Sequence, residues 1–454
     1  MNIIVVGCGK IGSSIVASLV REGYDITSID ANRAAVTDLC NMYDVNGIVG
    51  YAADVQTLID AGVKGCDLFV AATGSDEVNL LSCYLARSNG AKHTIARVRN
   101  PIYSEKSIND LRTHLGLDDI INPEYYTARE LFHLLQLPAA AKIETFSGRS
   151  FEMVEILLRE GSPLAGIRLM DLRARYNYNV LICAVRRGED LFIPDGNFVL
   201  QPGDRVGLTA VPSEMNNLFH AIGLSKKQAR SVMILGGSKT AYYLAKRLSG
   251  IGCSVKIIEK DGGVCHTLSE ALPKSVVIIG GDGAQPELLR EEGIHSTDAF
   301  VALTGMDEEN ILISVFAMSQ NVPKVIAKVN RDEIALMAGK LGLESVVSPK
   351  KTIADILVRR ARSISQADGS DMESLYTFMD GNAEAIEFSV RGSKKLVAVP
   401  LRALELKKNI LIAGIVRGRK TFIPDGDSIL EEGDRVIVLS RKSQRLRSLA
   451  DILK

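Results

Sequence analysis

Apolar residues recur along positions 1–137 in two alternating rhythms. Short β-branched runs, IIVVG, DITSID, DLFVAAT, HTIARV and a brief IIN, have the length and composition of strands. Between them IGSSIVASLVREG, RAAVTDLCNMY, VQTLIDAG and SDEVNLLSCYLARSNG carry apolar residues at helical spacing, several closed by glycine. Strand alternating with helix predicts a parallel sheet covered on both faces, the doubly wound α/β class. Residues 231–362 repeat the order with VMILG, SVKIIE, AFVALT and KVIAKV. Residues 150–211 and 384–440 differ in kind. Their short strands, single helix-like stretch and PDG and PGD turn signals predict small α+β domains. PAAAKIETFSGRS (138–150), GLSKKQAR (223–230) and SISQADGSDMES (363–374) read as connectors.

These rhythms belong to one long pattern written twice. NIIVVGCGKIGSSI (2–15) faces SVMILGGSKTAYYL (231–244), and the interval from Gly7 to Gly236 equals that from Asp30 to Glu259. VAATGSDEVNL (70–80) faces VALTGMDEENI (301–311), NVLICAVRRGEDLFIPDG (179–196) faces NILIAGIVRGRKTFIPDG (409–426), and PGDRV (202–206) faces EGDRV (432–436). Such self-similarity predicts a tandem duplication of a two-domain unit. The four expected domains are a Rossmann-like nucleotide-binding domain at 1–137, a small α+β domain at 138–222, a second nucleotide-binding domain at 230–362 and a second small domain at 372–454.

Composition narrows the class. Hydrophobic residues make up 46% of the 454, enough to give each domain a core, and 54 basic residues balance 54 acidic ones. Zero net charge lacks the basic footprint of a nucleic-acid binder, so no nucleic-acid partner is expected. No apolar run reaches the roughly 18 residues that suggest a membrane span, and the N-terminus enters a strand without a signal-peptide layout. A cytoplasmic protein is expected. The seven cysteines show no CxxC spacing, which supports neither a zinc site nor a disulfide framework. They read as packing thiols, with Cys8, inside the glycine loop, the one place for a redox role.

The chemistry gathers at the glycine loops. Gly7-Cys8-Gly9-Lys10-Ile11-Gly12 is a full GxGxxG placed after a strand and opening a helix. Gly7 permits the tight turn, Gly9 lets backbone approach a pyrophosphate, and Gly12 lets helix and sheet pack closely. The helix N-terminus offers unpaired N–H groups to the anion. Asp30 stands where a carboxylate bonds a ribose 2′-hydroxyl. The second loop, Gly236-Gly237-Ser238-Lys239-Thr240, is degraded: Ser238 replaces the second glycine and crowds the phosphate, while Lys239 adds charge beside it and Glu259 supplies the acid. Thr73-Gly74 and Thr304-Gly305 end strands at the carboxyl edge, where ligands lie in open α/β sheets. The Asp-Glu pairs that follow them have a plainer use as helix caps. Arg97 and Lys328 occupy matching places and are candidates for phosphate pairing, with surface charge as the alternative.

No catalytic constellation accompanies these loops. The six histidines fall outside matched positions, and neither a HExxH nor a Ser/His/Asp arrangement is present. Arg186 and Arg205 are the cations of the small domain that could face an anion. Two nucleotide sites with no chemistry attached suggest sensing rather than turnover. The other readings are an NAD-dependent oxidoreductase and a cyclic-dinucleotide-binding regulator acting through the small domains.

GCGKIG with Asp30, VAATGSDEVN, IARVRN, VRRGEDLFIPDG and LQPGDRV, in that order, resemble the RCK family, the regulators of potassium conductance. Two units in one chain resemble the regulatory subunits of Trk potassium-uptake systems. The resemblance implies NAD⁺, NADH, ATP or ADP as regulatory ligands, no catalytic and no metal residues, and a ring of eight domains made by a tetramer. It also implies an integral-membrane potassium transporter subunit of the TrkH or TrkG kind as partner, and a place at the inner face of the cell membrane. SPKKTIADILVRRARS (348–363), with Ile353, Ile356 and Leu357 at helical spacing, is expected to be the helix through which such units pair. One departure is Tyr51, which follows Gly50 where the family often carries Asp, as the second copy does at Gly281-Asp282.

Overall fold

The first apolar run becomes β1 (Asn2–Val6), buried from Ile3 onward, and pairs in parallel with β2 (Asp25–Asp30) and β4 (Leu68–Ala71). With β3 (Asn46–Val49), β5 (His93–Arg97) and β6 (Asp119–Ile121) it forms a sheet of order β3-β2-β1-β4-β5-β6. The order reverses between β1 and β4, and this opens a crevice at the carboxyl ends of those strands. The helices on its faces are α1 (Lys10–Arg21), α2 (Arg33–Met42), α3 (Val55–Asp60), α4 (Asp76–Ser88), α5 (Glu105–His114) and α6 (Pro123–Gln136). This computed structural model describes residues 1–454 apart from 102, 104, 147–150, 225–227, 366–370, 380, 392–395, 445 and 447.

The second half repeats the architecture with β12 (Ser231–Leu235), β13 (Ser254–Glu259), β14 (Val276–Gly280), β15 (Ala299–Ala302), β16 (Lys324–Lys328) and β17 (Ser345–Val347). Their order is β14-β13-β12-β15-β16-β17. Its helices are α9 (Lys239–Ser249), α10 (Gly262–Ala271), α11 (Pro286–Glu291), α12 (Asp307–Ser319), α13 (Asp332–Lys340) and α14 (Pro349–Ser365). The doubly wound class expected from the alternation is therefore present twice. β3, β14 and β17, all sheet edges, lie outside the strands predicted from sequence, although β14, VVIIG, carries as plain a β-branched run as β12. β3, only four residues long with three of them exposed, has no apolar alternation to reveal it.

The chain divides into two units, residues 1–132 with 230–365 and residues 133–229 with 366–454. In the first, the two nucleotide-type domains pack through exchanged helices. α14 of the second domain lies against α1 of the first. α6 of the first meets α9 of the second through Tyr125 and Tyr243, edge to face at 5.7 Å, and through Arg247 over the Phe132 ring at 5.2 Å. The helix expected to pair separate units thus spends its apolar face inside the chain, where Ile353, Ile356 and Leu357 are buried.

The second unit holds two antiparallel sheets and the helices α7 (Leu169–Tyr176) and α8 (Pro212–Ala221). One has the order β10-β9-β11-β8-β7, from β7 (Lys142–Phe146), β8 (Phe151–Leu157), β9 (Leu181–Arg187), β10 (Asp190–Phe192) and β11 (Arg205–Ala210). The other has the order β18-β19-β22-β20-β21, from β18 (Met372–Phe378), β19 (Ala383–Ser389), β20 (Ile410–Arg417), β21 (Lys420–Phe422) and β22 (Arg435–Arg441). They share a core in which Phe151, Met153 and Cys183 meet Phe378, Ala385 and Leu439. Gly414 is needed there, since a Cβ would stand 2.7 Å from the Phe151 ring.

The connectors fare unevenly. Residues 142–146 of the first are strand β7, so that expectation is corrected: the strand pairs with β8 instead of crossing open surface. Residues 363–365 finish α14 and β18 begins at Met372, while 366–370, like 225–227 of the remaining connector, lie outside the described residues. The PGD and EGD turns are anchored from beneath. Asp204 is fully buried and takes Arg187 on both oxygens, at 2.7 and 2.8 Å, and Asp434 takes Arg417 at 2.9 and 2.8 Å. That bidentate bond holds each Arg pKa above its ordinary value. Arg186, a candidate from sequence for an anion, donates Nε to Gly188 O at 3.1 Å and lies 3.7 Å from Glu189.

Candidate functional site

At the end of β1 the chain turns sharply, with Gly7 at φ 97° and its N–H bonded to Ile29 O at 2.8 Å. A Cβ there would lie 2.8 Å from Ala72 O, and one on Gly12 would lie 1.6 Å from Gly7 O. These two glycines let the loop fold back on itself. Gly9 is different. Its φ is −70°, an ordinary value, and nothing lies within 4 Å of the place its Cβ would occupy. It is the N-cap of α1, and no side chain caps the helix. The missing Cβ therefore leaves open space in front of a helix N-terminus, the geometry a phosphate requires. Cys8 is buried, Lys10 is exposed and Ile11 is half-buried.

Asp30 closes β2 beside this loop. Its Oδ2 accepts from Cys8 N at 2.7 Å and its Oδ1 from Asn32 N at 2.8 Å. An ionised carboxylate has about four acceptor positions, so both oxygens keep capacity for ribose hydroxyls. The Cys8 thiol is pushed up to about 12, chiefly by burial, with Asp30 and Cys40 adding to it. That holds the sulfur as an unreactive thiol.

The second loop copies the first with four changes: Gly237 for Cys8, Ser238 for Gly9, Thr240 for Ile11 and Ala241 for Gly12. Glu259 accepts from Gly237 N at 2.6 Å and from Asp261 N at 2.8 Å, as Asp30 does. Gly236 has φ 95°, and a Cβ at Gly237 would meet Val264 and Leu268 at 2.8 Å. Ser238 stands where Gly9 leaves space, and its Oγ caps α9 by accepting from Ala241 N at 3.4 Å. Thr240 is buried and Lys239 is half-buried. Lys239 adds to the hydrogen bonds from the Glu77 N–H, Ser75 and Tyr103 that hold the Glu77 carboxyl below its ordinary range.

The strand-end residues are organised by an asparagine that sequence reasoning passed over. Asn79 Oδ1 accepts from Thr73 N at 2.8 Å and from its hydroxyl at 2.7 Å, and Asn79 Nδ2 donates to Arg97 O at 2.9 Å. Asn310 repeats this with Thr304 N at 2.9 Å and Lys328 O at 2.9 Å. The signal was available, since both asparagines stand at matching places in DEVNL and DEENI. The Asp-Glu pairs are more than helix caps. Ser75 caps α4, and Asp76 reaches across to accept from Arg99 N and Asn100 N at 3.0 and 2.8 Å. Asp307 does the same for Asn330 N and Arg331 N, at 3.0 Å each. Gly74 and Gly305 have no atom near a would-be Cβ.

Arg97 and Lys328 point inward. Arg97 donates Nη1 to Thr73 O at 3.3 Å and lies 3.7 Å from Glu124. Lys328 donates to Leu303 O at 3.3 Å. Burial pushes both pKa values down; Glu124 offsets this at Arg97, and Asp307 and then Glu124 at Lys328. Arg97 and Arg99 lie 3.7 and 4.0 Å from the Glu124 carboxylate, which has no echo in the repeat because Lys350 holds the matching place. Arg97 Nε and Glu124 Oε2 are buried without a hydrogen-bond partner among the described residues. No group of three or more His, Cys, Asp or Glu among the described residues is arranged to hold a metal ion.

Two Rossmann-like folds, each with a phosphate-type loop and a ribose-type acid, joined to two small antiparallel domains, define a duplicated RCK-type nucleotide-binding regulator. The TrkA-N domain family matches residues 3–123 and 232–349, and the TrkA-C domain family matches 153–223 and 385–454. The chain belongs to the TrkA family of Trk-system potassium uptake proteins, which regulate transport and are not enzymes. It is 34% identical over 442 residues to a Trk system potassium uptake protein TrkA homolog of Archaeoglobus fulgidus, covering 97% of each chain. It is 30% identical to TrkA homolog 1 of Methanosarcina mazei, covering 98% of each. The GsuK channel bound to NAD superposes with a TM-score of 0.63 over 97% of this chain and 77% of that one. At 18% identity that likeness is one of fold.

Proposed function

We propose that the chain is a nucleotide-responsive gate for a membrane potassium transporter. The observation that carries this reading is the open space at Gly9, before an uncapped helix and beside Asp30. In this reading the backbone of Gly7 to Gly12, with Cys8, Lys10 and Ile11, cradles the phosphates of NAD⁺, NADH, ATP or ADP. Asp30 takes the adenosine ribose, Thr73-Gly74 line the far wall, and Arg97 answers the phosphate charge. Gly236, Gly237, Ser238, Lys239, Thr240, Glu259, Thr304, Gly305 and Lys328 form the second, narrower site. The domain limits 1–137, 138–222, 230–362 and 372–454 belong to the same proposal.

Ligand binding alters the angle between neighbouring nucleotide domains, and a ligand shifts such an equilibrium only by its differential affinity for the two states. Four chains form a ring of eight domains. The exposed apolar residues Leu81 and Tyr84 on α4, Leu312 on α12, and Leu336 and Met337 on α13 support contact with further copies. The partner is an integral-membrane subunit of the TrkH or TrkG kind. No helix among the described residues is long and apolar enough to cross a membrane, so a partner must supply attachment at the cytoplasmic face. The test is potassium flux in vesicles holding the membrane subunit, with this protein and varied nucleotide. Flux that responds to nucleotide and loses the response in Asp30→Ala is expected. Flux that ignores every nucleotide rejects the gate.

A further inference from the structure

The strand order sets out where each part of a nucleotide falls. The open start of α1 stands at the end of β1 and suits phosphate, while Asp30, at the end of β2, suits ribose. Neighbouring strands lie about 4.8 Å apart, close to the step from phosphate to ribose and from ribose to base. The base therefore falls at the end of the next strand, β3. Asp30 is in register with Val49, and Gly50 N donates to Asp30 O at 3.0 Å. The next residue is Tyr51. It is 57% exposed, and its hydroxyl makes no hydrogen bond among the described residues.

The turn that presents this ring is held firmly. A Cβ at Gly50 would stand 2.5 Å from Thr57 Cγ2, and Asp54 N donates to Tyr51 O at 3.0 Å. Asp54 in turn caps α3 through Thr57 N and Thr57 Oγ1, at 2.9 and 2.7 Å. The second half makes the same turn with other contents. Gly281 N donates to Glu259 O at 2.9 Å and Gln285 N to Asp282 O at 3.1 Å. Asp282 Oδ1 is turned back to accept from Ala284 N at 3.0 Å. One half carries an exposed tyrosine at this strand end, the other a carboxylate tied to its own loop.

We propose that Tyr51 is the base-recognising residue of the first site, stacking its ring on the adenine of a bound nucleotide. The second site, with Asp282 at that place, takes its ligand without stacking. The inference rests on the nucleotide reading above and adds the part that selects the base. Stacking on an aromatic side chain is worth roughly 5- to 150-fold in affinity. It favours nucleotides with a heteroaromatic base over sugar phosphates of the same charge.

The chain contains no tryptophan, so Tyr51→Trp provides a single local emitter. In the full-length protein, ADP and NAD⁺ are expected to quench that emission saturably, and ribose 5-phosphate to leave it unchanged. By calorimetry Tyr51→Phe, which keeps the ring, should bind ADP as the parent does, and Tyr51→Ala roughly 5- to 150-fold more weakly. Tyr51 is exposed, so these changes leave the fold intact. With the second site silenced by Glu259→Ala, parental affinity in Tyr51→Ala, or binding registered by calorimetry with no change in the indole emission, overturns the assignment and leaves the nucleotide site standing. A parent that binds neither ADP nor NAD⁺ removes both.

Discussion

Arg362, near the end of α14, and Glu22, which caps the end of α1, form a two-point ion pair across 340 residues of sequence. Nε and Nη2 of the arginine lie 2.7 and 2.6 Å from one carboxylate oxygen. Both side chains are almost wholly buried. Arg360, two residues earlier, adds a bond to Asp119 at 2.7 Å. The helix that opens at the first glycine loop is thus clamped at its far end by the last helix of the other nucleotide-type domain.

Removing one member of that pair leaves a buried charge without a counter-ion, which costs roughly 3–5 kcal/mol. Arg362→Met should lower the urea midpoint of the first unit accordingly. Adding Glu22→Leu should recover much of the loss, because an apolar pair of similar volume replaces a buried ion pair at little cost. If the double variant is as unstable as the sum of the two single changes, the pair is not the clamp.

The glycines of the first loop separate by role. Gly12→Ala drives a Cβ into Gly7 O, so the loop must open, at about 3 kcal/mol or more by the scale of overpacking. Gly9→Ala meets only empty space and should leave the melting temperature unchanged. Gly9→Val should abolish NADH binding at the first site without unfolding the domain. The check is thermal melting beside calorimetric titration; matched stability losses in Gly9→Ala and Gly12→Ala would contradict this division.

The duplication, the doubly wound class and the loop glycines were legible because each is local: a glycine, an acid and an apolar rhythm repeat at fixed spacing. What stayed hidden is relational. Glu124 has no echo in the second copy, so its pairing with Arg97 and Arg99 could not be read from the repeat. Tyr243 reads as one more aromatic on a helix until α9 is seen against α6. The exchange of α6 and α14 leaves no mark in periodicity, since a helix shows the same apolar stripe whichever domain it covers. Asn79 and Asn310 lay between these cases, matched in the repeats yet silent about which strands they join.

Asn79 ties two strand ends through its amide. Asn79→Ala strands the Thr73 N–H and the Arg97 carbonyl, each costing about 1–3 kcal/mol when buried and unpaired, so a loss of about 3 kcal/mol is expected. The more specific readout is local: hydrogen exchange at the Thr73 amide should accelerate far more than at the β1 amides. Asn310→Ala should act likewise at Thr304 and leave Thr73 protected. Uniform acceleration across the sheet in either variant would mean that the asparagine serves general packing.

Tyr243 is expected to make the contact between the two nucleotide-type domains dependent on pH. Its hydroxyl accepts from Asn122 Nδ2 at 3.0 Å and lies 3.5 Å from Arg99 O. The phenol is pushed up to about 12, first by burial and then by Tyr242, Glu124 and Asp76, with the Asn122 bond acting the other way. A raised pKa means that the folded state holds its proton more tightly than the unfolded one. The contribution is therefore complete below pH 10, the ordinary value, and is lost as pH rises from 10 through 12. Tyr243→Phe lacks the two polar contacts, so it should start about 1 kcal/mol less stable. It cannot ionise, so the gap to the parent should close across that window. Urea midpoints for both proteins at pH 9, 10, 11 and 12 give the comparison, and curves that stay parallel would place the titrating group elsewhere.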